Sequence, residues 1–244
     1  MNRKKALLFA LTSMPFLVGM SMSNHGIPRT LRYSHSDDLA WVSESEAFDS
    51  AGNLRSEIFG PSAEPLRTNL AANNDGKCHA FMVQPPSERP LTDASLAEAS
   101  ASARSIIVGR VVNSSRGFYH ALPGMLVGVQ VKKTLSTSDS NRDLVYLFIP
   151  SATFVTPAGA LCSRSFGKVA VPEPADTLIA FSYEPPNDQA GLILPIDPDR
   201  DLIVQRKAVR VHTPKQLESD LAGLQLDEIA QRVERYATTD RRRR

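Results

Sequence analysis

Apolar and polar residues alternate at strand-like spacing through the middle of the chain and at helical spacing near its end. From Ser105 onward short apolar runs succeed one another: "SIIVGRVV", "GMLVGVQVKKTL", "DLVYLFIP", a weaker "GKVAVP", "DTLIAFSY", "GLILPI", "DLIVQ" and "KAVRVH". In the second run Val127, Val129 and Val131 share one face, while Gly128 and Gln130 fall on the other, the period of a half-buried strand. Gly109 interrupts the β-branched first run, which marks a bulged or curved strand, and the following "NSSRGF" has turn chemistry. Closely spaced short strands with Pro- and Gly-containing turns predict a mainly β domain, an antiparallel barrel or sandwich. Closing such a sheet into a small barrel removes its exposed edges. Nothing here alternates strand with long helix, so a doubly wound sheet is excluded.

Helices are expected on both sides of this region. "LTDASLAEASASA" offers Thr92 as an N-cap and Leu96 among good helix formers. At the other end Thr213 and Pro214 open "KQLESDLAGL", and "LDEIAQRVERYA" sets Leu226, Ile229, Ala230, Val233 and Ala237 on one stripe. That stripe is expected to pack on the barrel. Residues 24–90 are rich in Ser, Asn, Ala and Pro and read as a flexible, largely disordered arm. Within the arm, "DDLAWVSESEAF" around Trp41 and "LRSEIFGP" read as local helices or docking segments. The expected organisation is a leader over 1–23, the arm over 24–90, the barrel with its C-terminal helices over 91–237, and a basic tail over 238–244.

The leader reading rests on Arg3, Lys4 and Lys5, an apolar stretch from Ala6 to Met20, and small Ser21 and Ser23 before Asn24. The stretch is short for a membrane span and carries Pro15, so the mature chain is expected to be exported without a stable span. An uncleaved N-terminal tether is the alternative. Without the three leader cations, 25 basic residues face 26 acidic ones. Four of those cations form the terminal Arg241–Arg244, a tail rather than a folded basic patch, which disfavours nucleic acid as a partner. Two cysteines, Cys78 and Cys162, in an oxidising compartment are expected to pair.

Candidate chemistry is sparse. The five histidines His25, His35, His79, His120 and His212 show no paired metal-ligand spacing, and no metal or cofactor is called for. "IDPDRDL" spaces Asp197, Asp199 and Asp201 like a calcium loop, but Leu202 stands where glycine is required and Ala208 where an acidic ligand is. No nucleophile elbow, zinc-protease helix, phosphate loop or dinucleotide fingerprint occurs.

The order of features from Cys78 to Val211 resembles that of netrin-like modules and tissue inhibitors of metalloproteinases. A cysteine lies upstream of "SIIVGRVV", and the alternating "MLVGVQVKKTL" follows. After "LVYLFIPSATFVTPAGALC", with its second cysteine, comes "TLIAFSYEPPNDQAGLILPI". The resemblance implies an OB-like barrel, closed or partly open, and a bridged Cys78–Cys162 pair. It does not bring inhibitor chemistry, because those inhibitors bind zinc through a mature N-terminal cysteine and Cys78 is internal.

The expected function is therefore that of an exported, non-enzymatic protein that binds a protein partner. Its barrel-rim loops "NSSRGFYHALPG" and "EPPNDQAG" would make the contact, with Phe118, Tyr119, Tyr183 and Pro185 as loop anchors. The alternative is an envelope-associated hydrolase. Its site would be assembled from dispersed carboxylates, such as Glu173, Asp176, Glu184 and Asp188, with His120 or His212.

Overall fold

The short β-branched runs become strands in the computed structural model, which describes residues 26–32, 39–51, 55, 57–59, 93–135, 142–150, 152–155, 161–164, 171–185, 193–196, 202–206, 210–212 and 224–241. The first elements are β1 (Thr30–Arg32), β2 (Leu39–Ser43), α1 (Glu44–Ala47) and α2 (Asp93–Ser102). The sheet is built from β3 (Ser105–Tyr119), β4 (Leu122–Thr134), β5 (Leu144–Ile149), β8 (Thr177–Ser182), β9 (Ile193–Pro195), β10 (Leu202–Arg206) and β11 (Arg210–His212). Between β5 and β8 lies the separate hairpin of β6 (Ala152–Val155) and β7 (Leu161–Arg164), and α3 (Leu226–Arg241) ends the described chain.

Strand β3 organises the rest. Along one edge it pairs with β4 from Ile107↔Thr134 to Tyr119↔Leu122. Its other edge is divided: Ser105–Arg110 pairs with β8, and Gly117–Tyr119 pairs with β2. Register shifts at Val108/Gly109 and Val111/Asn113 bend it between the two partners. The turn expected at "NSSRGF" is therefore corrected, since these residues stay in the strand. Residues 113–116 are polar because they occupy the stretch of edge between the end of β8 and the start of β2, where half-exposed side chains meet solvent. Val112, 42% exposed, lies in the same stretch.

The sheet runs β11-β10-β8-β3-β4-β5-β9, with β2 and β1 branching from β3. It is mainly β as expected, in the partly open form: among the described residues the ladder does not close. One pairing also departs from the antiparallel expectation. Strand β9 runs parallel to β5, from Tyr146↔Ile193 to Phe148↔Pro195. The chain leaving β8 crosses to the opposite border of the sheet and so arrives in the direction of β5. β9, at one border, and β10, next to the border strand β11 at the other, are successive strands in the chain, separated by residues 197–201. Leu194 and Ile196 share a buried cluster with Leu202 and Val204. Joined this way, the borders enclose one interior without a continuous ladder.

Three layers of side chains follow from the strand period. Inward-facing Ile107, Val111, Val127, Val129, Leu147 and Leu178 fill the interior. On one outer face Ile106, Ile179, Phe181 and Ile203 meet Leu96 of α2 and the stripe Leu226, Ile229, Val233 and Ala237 of α3, so the expected packing of the C-terminal helix is observed. Gln205 fastens that helix. Its Oε1 accepts from the Leu226 N–H at 3.1 Å, and its Nε2 donates to Gln225 Oε1 at 2.8 Å. The Gln225 N–H donates to Glu228 at 2.7 Å, so the helix start is capped from the sheet and from its own first turn. The N-terminal segment covers the other outer face around Tyr119, Tyr146 and Phe148, and also packs on Phe118 on the inward side of the end of β3.

That cover corrects part of the flexible-arm expectation. Trp41 and Val42 are fully buried, and Phe59 is buried beside Phe118. The Trp41 indole N–H donates to the Pro28 carbonyl at 3.0 Å. Gly117 makes room for the indole, since a Cβ there would overlap it. The rest of the arm and the helix expected from Thr213 lie outside the described residues, as do Cys78 and any statement about a Cys78–Cys162 bridge. The backbone of Cys162 pairs with Phe154 in the β6–β7 hairpin. Among the described residues no helix is long and apolar enough to cross a membrane.

Replacing Gln205 by Ala should remove the sheet's hold on α3 and leave the buried Leu226 N–H unpaired. Loss of one such buried bond predicts destabilisation by about 1–3 kcal/mol, read as a lowered urea midpoint with the slope unchanged.

Candidate functional site at the barrel rim

The four anchors chosen from the sequence do not form one exposed surface. Phe118 is 0% and Tyr119 4% exposed, so their placement as exposed loop aromatics is corrected. Both are strand residues and point to opposite faces, as strand geometry demands. Phe118 lies edge-on to Phe48 and Phe59, with centroids 5.9 Å and 5.4 Å away. Tyr119 packs against Phe148 at 5.0 Å and against the His120 ring at 4.1 Å. Tyr183 is half-buried beside the cluster under α2 and α3, and Pro185 is exposed.

One residue of the second loop, Glu184, acts electrostatically on His120, although the β3–β8 register sets Ser182 beside Ser105 at the other end of β3. His120 and Ala121 are the central residues of a two-residue hairpin between β3 and β4, at φ 51° and 58°. Both positive angles define a type I′ turn, a conformation normally given to Asn-Gly. Neither residue is glycine, so the backbone is strained at two successive positions, each costing about 1–2 kcal/mol. The turn is held by β2, whose Ala40 carbonyl accepts from the His120 N–H at 3.0 Å. Burial lowers the His120 pKa from its ordinary 6.5, and the nearby Glu184 carboxylate opposes that shift without cancelling it. The imidazole is therefore neutral at pH 7, with one donor and one acceptor nitrogen. Glu184 and Pro185 are exposed on the segment that leaves β8, where the Ser182 hydroxyl donates to the Glu184 carbonyl at 3.1 Å.

The other carboxylates named for a catalytic site serve a different end. Glu173 and Asp176 both pair with Arg206, at 3.5 Å and 3.4 Å, and the Glu173 N–H donates to Asp176 at 2.9 Å. They fasten the turn before β8 to β10. Asp188, and Asp197, Asp199 and Asp201 of the calcium-like spacing, lie outside the described residues, and His212 is described only as a backbone position in β11. Among the described residues no group of three or more His, Cys, Asp or Glu is placed to hold a metal ion. Sequence reasoning found the two loops but chose the aromatics in them. It missed the strained His120–Ala121 pair because nothing in "YHAL" announces a left-handed turn. The one usable signal was its position between two strands with room for only two residues.

In comparison with known proteins, the chain matches no family model, no curated protein and no solved structure.

A histidine whose pKa is lowered on folding stays neutral in the folded chain at pH values where the unfolded chain already takes up a proton. Its contribution to stability is therefore lost as pH falls below 6.5 towards the lowered folded value. Stability should decline on acidification through that window, and His120→Gln should remove this part of the slope, as read from urea midpoints against pH.

Proposed function

We propose that this is an exported, non-enzymatic barrel protein that binds a protein partner at the rim formed by the β3–β4 turn and the segment after β8. One observation carries the reading: two successive non-glycine residues, His120 and Ala121, are held at positive φ at a hairpin tip. Strain of this kind persists where a function uses the conformation. A hairpin under selection for stability alone would place Asn-Gly there. The neutral imidazole supplies a hydrogen-bond donor and acceptor at the turn, Glu184 a charge that acts on it, and exposed Pro185 a rigid apolar contact. Export rests on the leader composition at Arg3–Ser23, and the OB-like form of the barrel rests on the netrin-like resemblance.

A second reading, an envelope-associated hydrolase, has one observation on its side: the Glu184 charge acts on His120, so an imidazole and a carboxylate are neighbours. Turnover of an ester or glycoside that is lost in both His120→Gln and Glu184→Gln would favour it over binding.

The double variant His120→Asn, Ala121→Gly relaxes the turn. It should raise stability by about 1 kcal/mol, the cost of left-handed backbone at a non-glycine residue. A photo-crosslinking residue at Pro185 should give a discrete protein adduct in the exported fraction, while one at exposed Glu98 on α2 gives none. The adduct should weaken in the double variant. Equal adducts from positions 185 and 98, or an undiminished adduct in the relaxed variant, would remove the rim reading.

A further inference from the structure

The buried side chains divide in a way that the strand order alone does not require. The barrel interior and the layer under α2 and α3 contain no residue that precedes Leu96. Every buried apolar residue of the N-terminal segment belongs instead to two other clusters, one around Phe118 and one around Tyr119, on the two faces of the last residues of β3. One gathers Val42, Ala47 and Phe59 around Phe118 and Ala121. The other sets Ala40 and Trp41 on Tyr119, Leu126, Tyr146, Phe148 and Ile193, with Ile27 and Leu31 packed around them. The N-terminal segment thus contributes to neither the main interior cluster nor the helix-covered layer, and Met125 packs against both the interior and the cluster around Phe118.

Its attachment is strand addition. β2 pairs with β3 through Trp41↔Tyr119, Val42↔Phe118 and Ser43↔Gly117, and β1 pairs with β2 alone. Other ties to the barrel include the His120 N–H donating to the Ala40 carbonyl at 3.0 Å, the Tyr146 hydroxyl donating to the Gly26 carbonyl at 3.5 Å, and the ion pair Arg116–Glu44 at 2.8 Å, while the Trp41–Pro28 bond holds the segment to itself. In sequence the segment precedes α2 and every barrel strand.

We propose that residues 26–32 and 39–51, with Phe59, form a releasable cover. Under it, the Gly117–Tyr119 edge and the aromatic face of Tyr119, Tyr146 and Phe148 form a docking surface for an extended strand that carries an aromatic residue. The resting occupant is this chain's own β2. The exchanged occupant is a partner's strand of the same pattern, with backbone bonds giving affinity and the room above Gly117 selecting the aromatic side chain. Release leaves the two remaining cores intact, as expected of a separately opening unit. This inference does not rest on the rim reading, which is tested at Pro185, outside the covered face.

Hydrogen exchange on the full chain tests the hierarchy. Amides at 40–43 and 118–120 should exchange about tenfold or more faster than those at 127–129 and 178–181, through an opening below global unfolding. Equal rates would overturn the proposal. The double variant Trp41→Ala, Val42→Asp releases the cover and leaves the full chain without tryptophan, since Trp41 is the only one. It should keep its far-UV circular dichroism. A synthetic peptide of residues 26–48, carrying the native Trp41, should then bind it saturably with a blue-shifted emission, and should show no shift with the wild-type chain. An unfolded double variant, or a folded one that leaves the peptide emission unchanged, would overturn the proposal.

Discussion

A strand edge offers one ladder of backbone donors and acceptors, and β3 has to share one of its two edges between two partners. β8 takes the first part of that edge and β2 the last, while β4 runs along the whole of the other. The division places the helix-covered layer beside one half of the strand and the N-terminal cover beside the other. The two register shifts in the β3–β4 ladder provide the bend that lets one strand serve both. The bent sheet brings β9, at one border, and β10, beside the other, to share one buried cluster.

Close approach is the price of that arrangement, and glycine is placed where it is met. At Gly117 the indole of Trp41 lies against the backbone, and at Gly124 the ring of Phe148 does the same, so a Cβ at either would overlap an aromatic ring. These rings are edge-on or tilted neighbours, with Trp41 and Phe148 6.4 Å apart. The two glycines thus turn a strand face into a seat for aromatic side chains. A face so shaped suits an added strand, which here the chain supplies to itself.

The hairpin that joins β3 to β4 carries the opposite feature, residues ill-suited to their backbone. His120 is tied to β2 through its amide and meets the Tyr119 ring edge-on, so turn, cover and aromatic face are mechanically continuous. Charge at this imidazole is disfavoured by burial and only partly supported by Glu184. Acidification therefore acts on the molecule where its strained turn meets its N-terminal segment.

Much of the fold was legible in the residues. Alternation in "GMLVGVQVKKTL" and the continuous runs "DLVYLF" and "TLIAF" identified β4, β5 and β8, and the stripe from Leu226 to Ala237 identified α3, because burial on one face imposes its period on the sequence. Of the first rim loop only the His120–Ala121 turn is a connection, and the rest of it is strand. Two things were not legible. "NSSRGF" reads as a turn because polar residues at the unpaired part of a strand edge have the composition of a loop. Trp41 lies in polar text that reads as an arm because its partners, Gly117, Tyr119 and Phe148, are distant in the chain. By itself the sequence determined which segments could become strands or helices, since that depends on local period and backbone preference. Only the tertiary structure decided which edge each strand took, that the arm closes an aromatic face, and that a histidine sits in a strained turn near a carboxylate. Those outcomes depend on which surfaces meet, and no local pattern encodes that.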